Sequence, residues 1–126
     1  RDSSTSRGLG DVYKRQFNGR VDAAEGYREV SWQTHYDAMA QLIGGFVAKG
    51  LTVVGGGDLN RPHEGMPPFH SAQVTITRHG IDHLFYVPAA GGARINVRKR
   101  MTVTGFRSDH DGKRAKLRIR PAAVAR

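Results

Sequence analysis

The chain has 126 residues, no cysteine and a formal net charge of +9. That length holds one domain with a modest core, and the absence of thiols excludes a disulfide framework and a thiolate metal site. No apolar run reaches the length of a membrane span, and no charged-then-apolar signal opens the chain, so a soluble, cytoplasmic protein is the expectation.

The charge is unevenly placed. Residues 1–16 carry four basic and two acidic side chains, residues 17–93 five and seven, and residues 94–126 eleven and two. The whole excess therefore lies in the last quarter. Such asymmetry suits a polyanionic partner, nucleic acid first; the alternative is a solvated basic face with a basic tail.

Residues 1–16, RDSSTSRGLGDVYKRQ, have no apolar periodicity and are dominated by serine, glycine and charge. No packed structure is expected there. The stretch resembles a translated adaptor, so it is set apart as a non-native leader and the domain is taken as residues 17–126. Phe17 to Val30 is polar without a clear period and reads as loop. Ser31 is the predicted N-cap of a helix in which Trp32, Tyr36, Met39, Ile43 and Phe46 form one core-facing stripe. Gly50 suits the position just past its end.

Leu51–Val54 reads as a short strand that Gly55-Gly56-Gly57 breaks just before Asp58-Leu59-Asn60. Pro62, Pro67 and Pro68 make residues 61–71 a loop. Ala72 to Arg78 alternates, with Ala72, Val74 and Ile76 on one face. Leu84–Val87 is apolar throughout and predicts a strand buried on both faces. The last two runs form an antiparallel hairpin: Ile95, Val97, Met101 and Val103 oppose Arg94, Asn96, Arg98 and Arg100, while Ala115, Leu117 and Ile119 oppose Arg114, Lys116, Arg118 and Arg120. Its connection carries Ser108-Asp109-His110. Like charges gathered on one face repel, so solvent or a polyanion must cover it.

Three acidic motifs stand in order at the ends of these runs: Gly57-Asp58-Leu59-Asn60, Gly80-Ile81-Asp82-His83 and Ser108-Asp109-His110. Carboxylates, an amide and an imidazole are what metal-assisted cleavage of a phosphate ester needs. Hard cations such as Mg²⁺ prefer carboxylate and water ligands. On an extended segment Asp58 and Asn60 point the same way, one to take a proton from water and one to hold a phosphate oxygen; alternatively the pair simply makes a turn. Asp82, ahead of a buried strand, needs a partner, and His110 is the candidate with His83 the fallback. Asp109 can reach a metal or its water shell, and Asp111 reads as a loop charge. His63, Glu64 and His70 fit no ligand spacing and read as loop polarity, and His35 belongs on the polar side of the helix.

An apolar strand running into Gly-Gly-Asp-Leu-Asn, then Gly-Ile-Asp-His-Leu-Phe-Tyr, then Ser-Asp-His resembles the C-terminal half of the endonuclease/exonuclease/phosphatase superfamily. The resemblance covers Ser31 to Ile119. It implies an α+β fold, part of a two-sheet β-sandwich flanked by helices (four layers, α/β/β/α), whose N-terminal half is missing here. It also implies a metal-dependent hydrolase using Mg²⁺ or Mn²⁺, in which Asp58 activates water, Asn60 contacts the scissile phosphate, Asp82 pairs with His110, His110 stabilises the phosphoryl oxygens or transfers a proton, and Asp109 helps hold the metal. The family's early asparagine, metal-ligating glutamate and further histidine have no counterparts, so a fragment with weak or no turnover and an open sheet edge is expected. With a basic hairpin in which Arg98, Arg100, Lys116 and Arg118 contact phosphates, the leading function is nuclease. The alternatives are a phosphatase or phospholipase of the same superfamily, or a non-catalytic nucleic-acid binder.

Overall fold

Val21–Ala48 forms one 28-residue helix, α1, in the computed structural model, which describes residues 21–122. The helix therefore covers Val21 to Val30, where a loop leading to an N-cap at Ser31 was expected. Ala23, Ala24, Glu25, Arg28 and Glu29 are all strong helix formers, and they sustain a helix that no apolar stripe announces. The proposed leader and the rest of the expected loop, Phe17 to Arg20, lie outside the described residues.

The C-terminus of α1 is closed as expected. Gly50 takes a left-handed φ of 80°, its N–H donates to the Val47 carbonyl at 2.9 Å, and the Leu51 N–H donates to the Phe46 carbonyl at 3.0 Å. These paired bonds are a Schellman motif, and glycine enters that φ without a Cβ penalty.

The chain divides into two compact units after Ala38, inside α1. In the first, Trp32 and Tyr36 stack one helical turn apart with ring centroids 5.2 Å from each other, and Gln33 donates to the Asp37 carboxylate at 2.9 Å. In the second, Ile43 is buried, whereas Met39 and Phe46 are 42 % and 40 % exposed. Of the expected core stripe in that unit, only Ile43 is enclosed by the described residues.

The rest of the second unit is β structure. Strands β1 (Val53–Asp58), β2 (Val74–Thr75) and β3 (Asp82–Val87) form an antiparallel sheet in the order β1-β3-β2. The expected break at Gly55-Gly56-Gly57 is absent, and β1 runs through the glycines to Asp58. A Cβ on Gly55 would lie 2.7 Å from the Phe85 ring, and one on Gly56 would lie 2.6 Å from the His83 carbonyl oxygen. The glycines let β3 approach closely; they do not end the strand. Leu51 and Thr52 fall outside β1. The Thr52 hydroxyl instead accepts from the Ala89 N–H and donates to the Ala93 carbonyl, fastening the turn before the hairpin.

β2 is shorter than the seven-residue run predicted at 72–78, because the N–H groups of Ile76 and Thr77 both turn onto the single Leu84 carbonyl, at 2.7 and 3.3 Å. β3 starts at Asp82 and alternates: His83, Phe85 and Val87 are buried, while Asp82, Leu84 and Tyr86 are half-buried. The expectation of burial on both faces is thus corrected to one fully closed face. That face joins Ile76, Val87 and Phe85 with Phe69, whose ring lies 5.5 Å from Phe85.

Strands β4 (Arg94–Val103) and β5 (Gly112–Arg120) form the expected antiparallel hairpin. Its faces differ from the expected ones beyond Val97. Val97 pairs with Leu117 but Lys99 pairs with Lys116, so Arg98 is an extra residue in a β-bulge. The bulge reverses the alternation that follows. Lys99 and Met101 join Arg114, Lys116, Arg118 and Arg120 on the outer face, and Arg100 crosses to the side of Ala115 and Leu117. There its Nε–H donates to the Ile76 carbonyl at 2.8 Å, tying the hairpin to the first sheet. Among the described residues the fold is α+β, one α-helix and a short 3-10 turn (His63–Gly65) with two antiparallel sheets of three and two strands. Among the described residues no helix is long and apolar enough to cross a membrane.

Candidate metal centre

Two strand ends and one loop build the site. Asp58 closes β1 and Asp82 opens β3, and the register sets these two residues directly opposite one another. The connection between β4 and β5 carries His110 over them. His110 Nδ1 lies 2.7 Å from Asp82 Oδ2, and its Nε2 lies 3.8 Å from Asp58 Oδ2. One ligand atom from each of Asp58, Asp82 and His110 falls within 4.8 Å of the others. The three side chains line an open cleft of ≈ 210 Å³ together with Gly57, His83, Leu84, Asp111 and Lys113.

Because a carboxylate only accepts, the short contact makes His110 Nδ1 the donor to Asp82. This hydrogen bond, then the charges of Asp82, Asp58 and Asp109, raise the His110 pKa above its ordinary 6.5. The ring is fixed through Nδ1 and turns Nε2 toward Asp58 and the cleft. Its backbone N–H donates to the Ser108 hydroxyl at 3.1 Å, which holds the loop in a tight local turn.

Of the two candidate partners for Asp82, His110 makes the contact. His83 faces the other side of β3, is 4 % exposed and has Nε2 2.7 Å from the Arg61 carbonyl oxygen. Asn60 departs from the extended geometry expected of it. It adopts a left-handed φ of 54°, and its N–H donates to Asp58 Oδ1 at 2.9 Å. The turn reading of Asp58 and Asn60 is therefore realised, and the turn itself orients the Asp58 carboxylate. Asp109 stands on the rim, its side chain 94 % exposed and Oδ1 3.9 Å from His110 Nε2. Lys116 and Arg118 lie on the outer face of the hairpin, Arg98 at the bulge, and Arg100 on the inner face.

Two residues of the cleft and one contact behind it escaped the sequence. Asp111 and Lys113 line it, although only their closeness to His110 pointed that way. His63, read as loop polarity, stacks on His83 with ring centroids 3.8 Å apart and planes 7° apart. Its Nδ1 lies 2.7 Å from the Gly80 carbonyl oxygen and its Nε2 2.6 Å from the Thr77 hydroxyl. Burial is the main cause that pushes the His63 pKa below 6.5. No spacing rule connects residues 63 and 83 across a proline-rich loop, so nothing in the chain advertised the pair. No family model, no curated protein and no solved structure matches this chain.

Proposed function

We propose that the cleft is the centre of a metal-dependent phosphodiesterase of the endonuclease/exonuclease/phosphatase kind, acting as a nuclease, and that the two sheets are part of its four-layer α/β/β/α sandwich. The observation that carries this reading is the convergence of Asp58, Asp82 and His110 within 4.8 Å. Two carboxylates in an open cleft suit a hard cation such as Mg²⁺ or Mn²⁺, which keeps several waters and shares substrate phosphate oxygens rather than demanding an all-protein cage. When bound, the ion would neutralise charge on the phosphoryl oxygens and make its water more acidic.

The side chains supply the rest. Asp58, oriented by the Asn60 N–H, takes the proton of an attacking water. Asp82 fixes the His110 ring through Nδ1 and favours its cationic form, and His110 donates from Nε2 to a phosphoryl oxygen where negative charge builds. Asn60, exposed two residues after Asp58, offers its amide for a phosphate contact, and Asp109, 3.9 Å from His110 Nε2, would reach the water shell of a bound ion. The hairpin favours a nucleic acid over a small phosphate. Lys99 opposite Lys116 and Arg94 opposite Arg120 set like charges face to face on an outer surface that a phosphate backbone would neutralise.

Mn²⁺ titration of the full chain, followed by relaxation of supercoiled plasmid in Mg²⁺, tests the proposal. The wild-type chain is expected to bind Mn²⁺, with Asp58→Asn and Asp82→Asn each weakening binding about tenfold or more, as loss of a charged ligand requires. His110→Ala should slow cleavage by roughly 10²- to 10⁴-fold while Mn²⁺ binding persists. Equal Mn²⁺ affinity in the wild type and the Asp58→Asn/Asp82→Asn double variant would overturn it. Release of phosphate from monoesters with no action on plasmid would move the substrate to the phosphatase branch.

A further inference from the structure

Two histidines on the far side of β3, His83 buried and His63 half-buried, make a bonded set of their own. A backbone carbonyl can only accept, so the ring nitrogen facing one must carry a proton. His63 is thereby assigned as donor from Nδ1 to Gly80, and His83 as donor from Nε2 to Arg61. The Thr77 hydroxyl accepts the Leu84 N–H at 2.9 Å, which leaves its own proton for His63 Nε2. His63 then has both ring nitrogens satisfied, and His83, protonated at Nε2, lies flat against it at 3.8 Å.

These bonds connect two stretches of chain that hold the carboxylates. The first, residues 59–63, continues directly from Asp58; the second, residues 77–84, contains Asp82. The Leu59 N–H donates to the Ile81 carbonyl at 2.9 Å, the Arg61 carbonyl accepts from His83, and His63 bridges to Thr77 and Gly80. Two carboxylates set opposite one another repel, and an open loop on one side gives them an easy way to part. The histidine pair closes that way from beneath.

We infer that the stacked His63–His83 pair is a positioning device that holds the Asp58 and Asp82 carboxylates in register before an ion or substrate arrives. The purpose given to it rests on the metal-centre reading, but the mechanical role does not. Neither ring touches substrate; His83 acts through Arg61 and the turn after Asp58, as groups behind metal ligands commonly do.

The test begins with imidazole ¹⁵N spectra of the full chain, where His63 should carry its proton at Nδ1, and His83 a proton at Nε2. The opposite tautomer at His83, or a solvent-averaged signal, overturns the inference without any variant. Next, His83→Phe keeps a flat ring against His63 but donates nothing, whereas His83→Gln keeps an N–H donor within reach of the Arg61 carbonyl. Expected in His83→Phe is a 10- to 100-fold loss of Mn²⁺ affinity, roughly the effect of removing a group behind a metal ligand, with faster amide exchange at Leu59; His83→Gln should restore most of both. Wild-type behaviour in His83→Phe, or no recovery in a folded His83→Gln, rejects the positioning role. If the wild-type chain binds no Mn²⁺, the metal reading falls alone, and exchange at Leu59 with its rescue still decides the role of the pair.

Discussion

His110 stands among three carboxylates, yet one contact governs it. Replacing Asp82 by Asn removes the acceptor charge at 2.7 Å, so the His110 pKa should fall back toward 6.5 in an NMR titration. A pKa that stays raised would assign the shift to Asp58 and Asp109 instead. The same shift has a stability consequence, opposite in sign to that of His63. A raised folded pKa means that the native state holds the proton more tightly; the His110 contribution is full below 6.5 and is lost as pH rises through the raised value. A lowered one means the native state resists the proton; the His63 contribution is full above 6.5 and is lost as pH falls through the lowered value. Melting temperature followed against pH should therefore lose slope above 6.5 in His110→Asn and below 6.5 in His63→Asn. At this scale the chain was readable where chemistry forces a partner. A carboxylate at the head of an apolar strand needs a donor, and Asp82 could be matched to a histidine beforehand. The tautomer-locked pair behind it could not, because a histidine in a proline-rich loop looks the same whether it is solvated or stacked.

Among the elements, the glycines of β1 and α1 separate two uses of one residue. Gly55 faces the ring of Phe85, which is buried against Phe69 and has no room to yield, so Gly55→Ala is expected to cost about 1–3 kcal/mol of unfolding free energy as an overpacking change. Gly44 lies inside α1 with nothing within 4 Å of an added Cβ, and Gly44→Ala should stabilise by about 0.5–1 kcal/mol. Denaturant midpoints of the two variants check both signs; stabilisation at Gly55 would mean that β1 and β3 are not in the register described. The strands and the hairpin could be anticipated from alternation, since a buried face imposes a period of two. The early start of α1 could not, because helix propensity without a stripe leaves no period to detect. The bulge could not either: Val97, Arg98 and Lys99 read as ordinary alternation, and only pairing with β5 reveals the inserted residue.

For the molecule as a whole, the charge that composition assigned to the last quarter becomes an oriented surface. By register, Arg94, Lys99, Arg114, Lys116, Arg118 and Arg120 share the outer face of the hairpin, while Arg100 is turned inward onto Ile76. If four to six of the outer cations meet phosphates, affinity for duplex DNA should fall with log salt at a slope of about −4 to −5, and Lys116→Ala should reduce its magnitude by about 1. Arg100→Ala should leave the slope alone and lower the melting temperature. A flat salt response in the wild type would remove nucleic acid as the partner of this face. Composition located the excess charge and alternation suggested a face, but which arginine belongs to it was decided by one inserted residue.

The register that sets Asp58 across from Asp82 also makes the protein a gauge of its own occupancy. Two anions opposed on neighbouring strands oppose folding, and a bound divalent cation turns that antagonism into attraction. Heat resistance should therefore climb with added cation before any turnover is measured. A scaffold tuned for hardiness alone would do better with one of the two acids, and on the proposed function their opposition is the stability that the centre gives up.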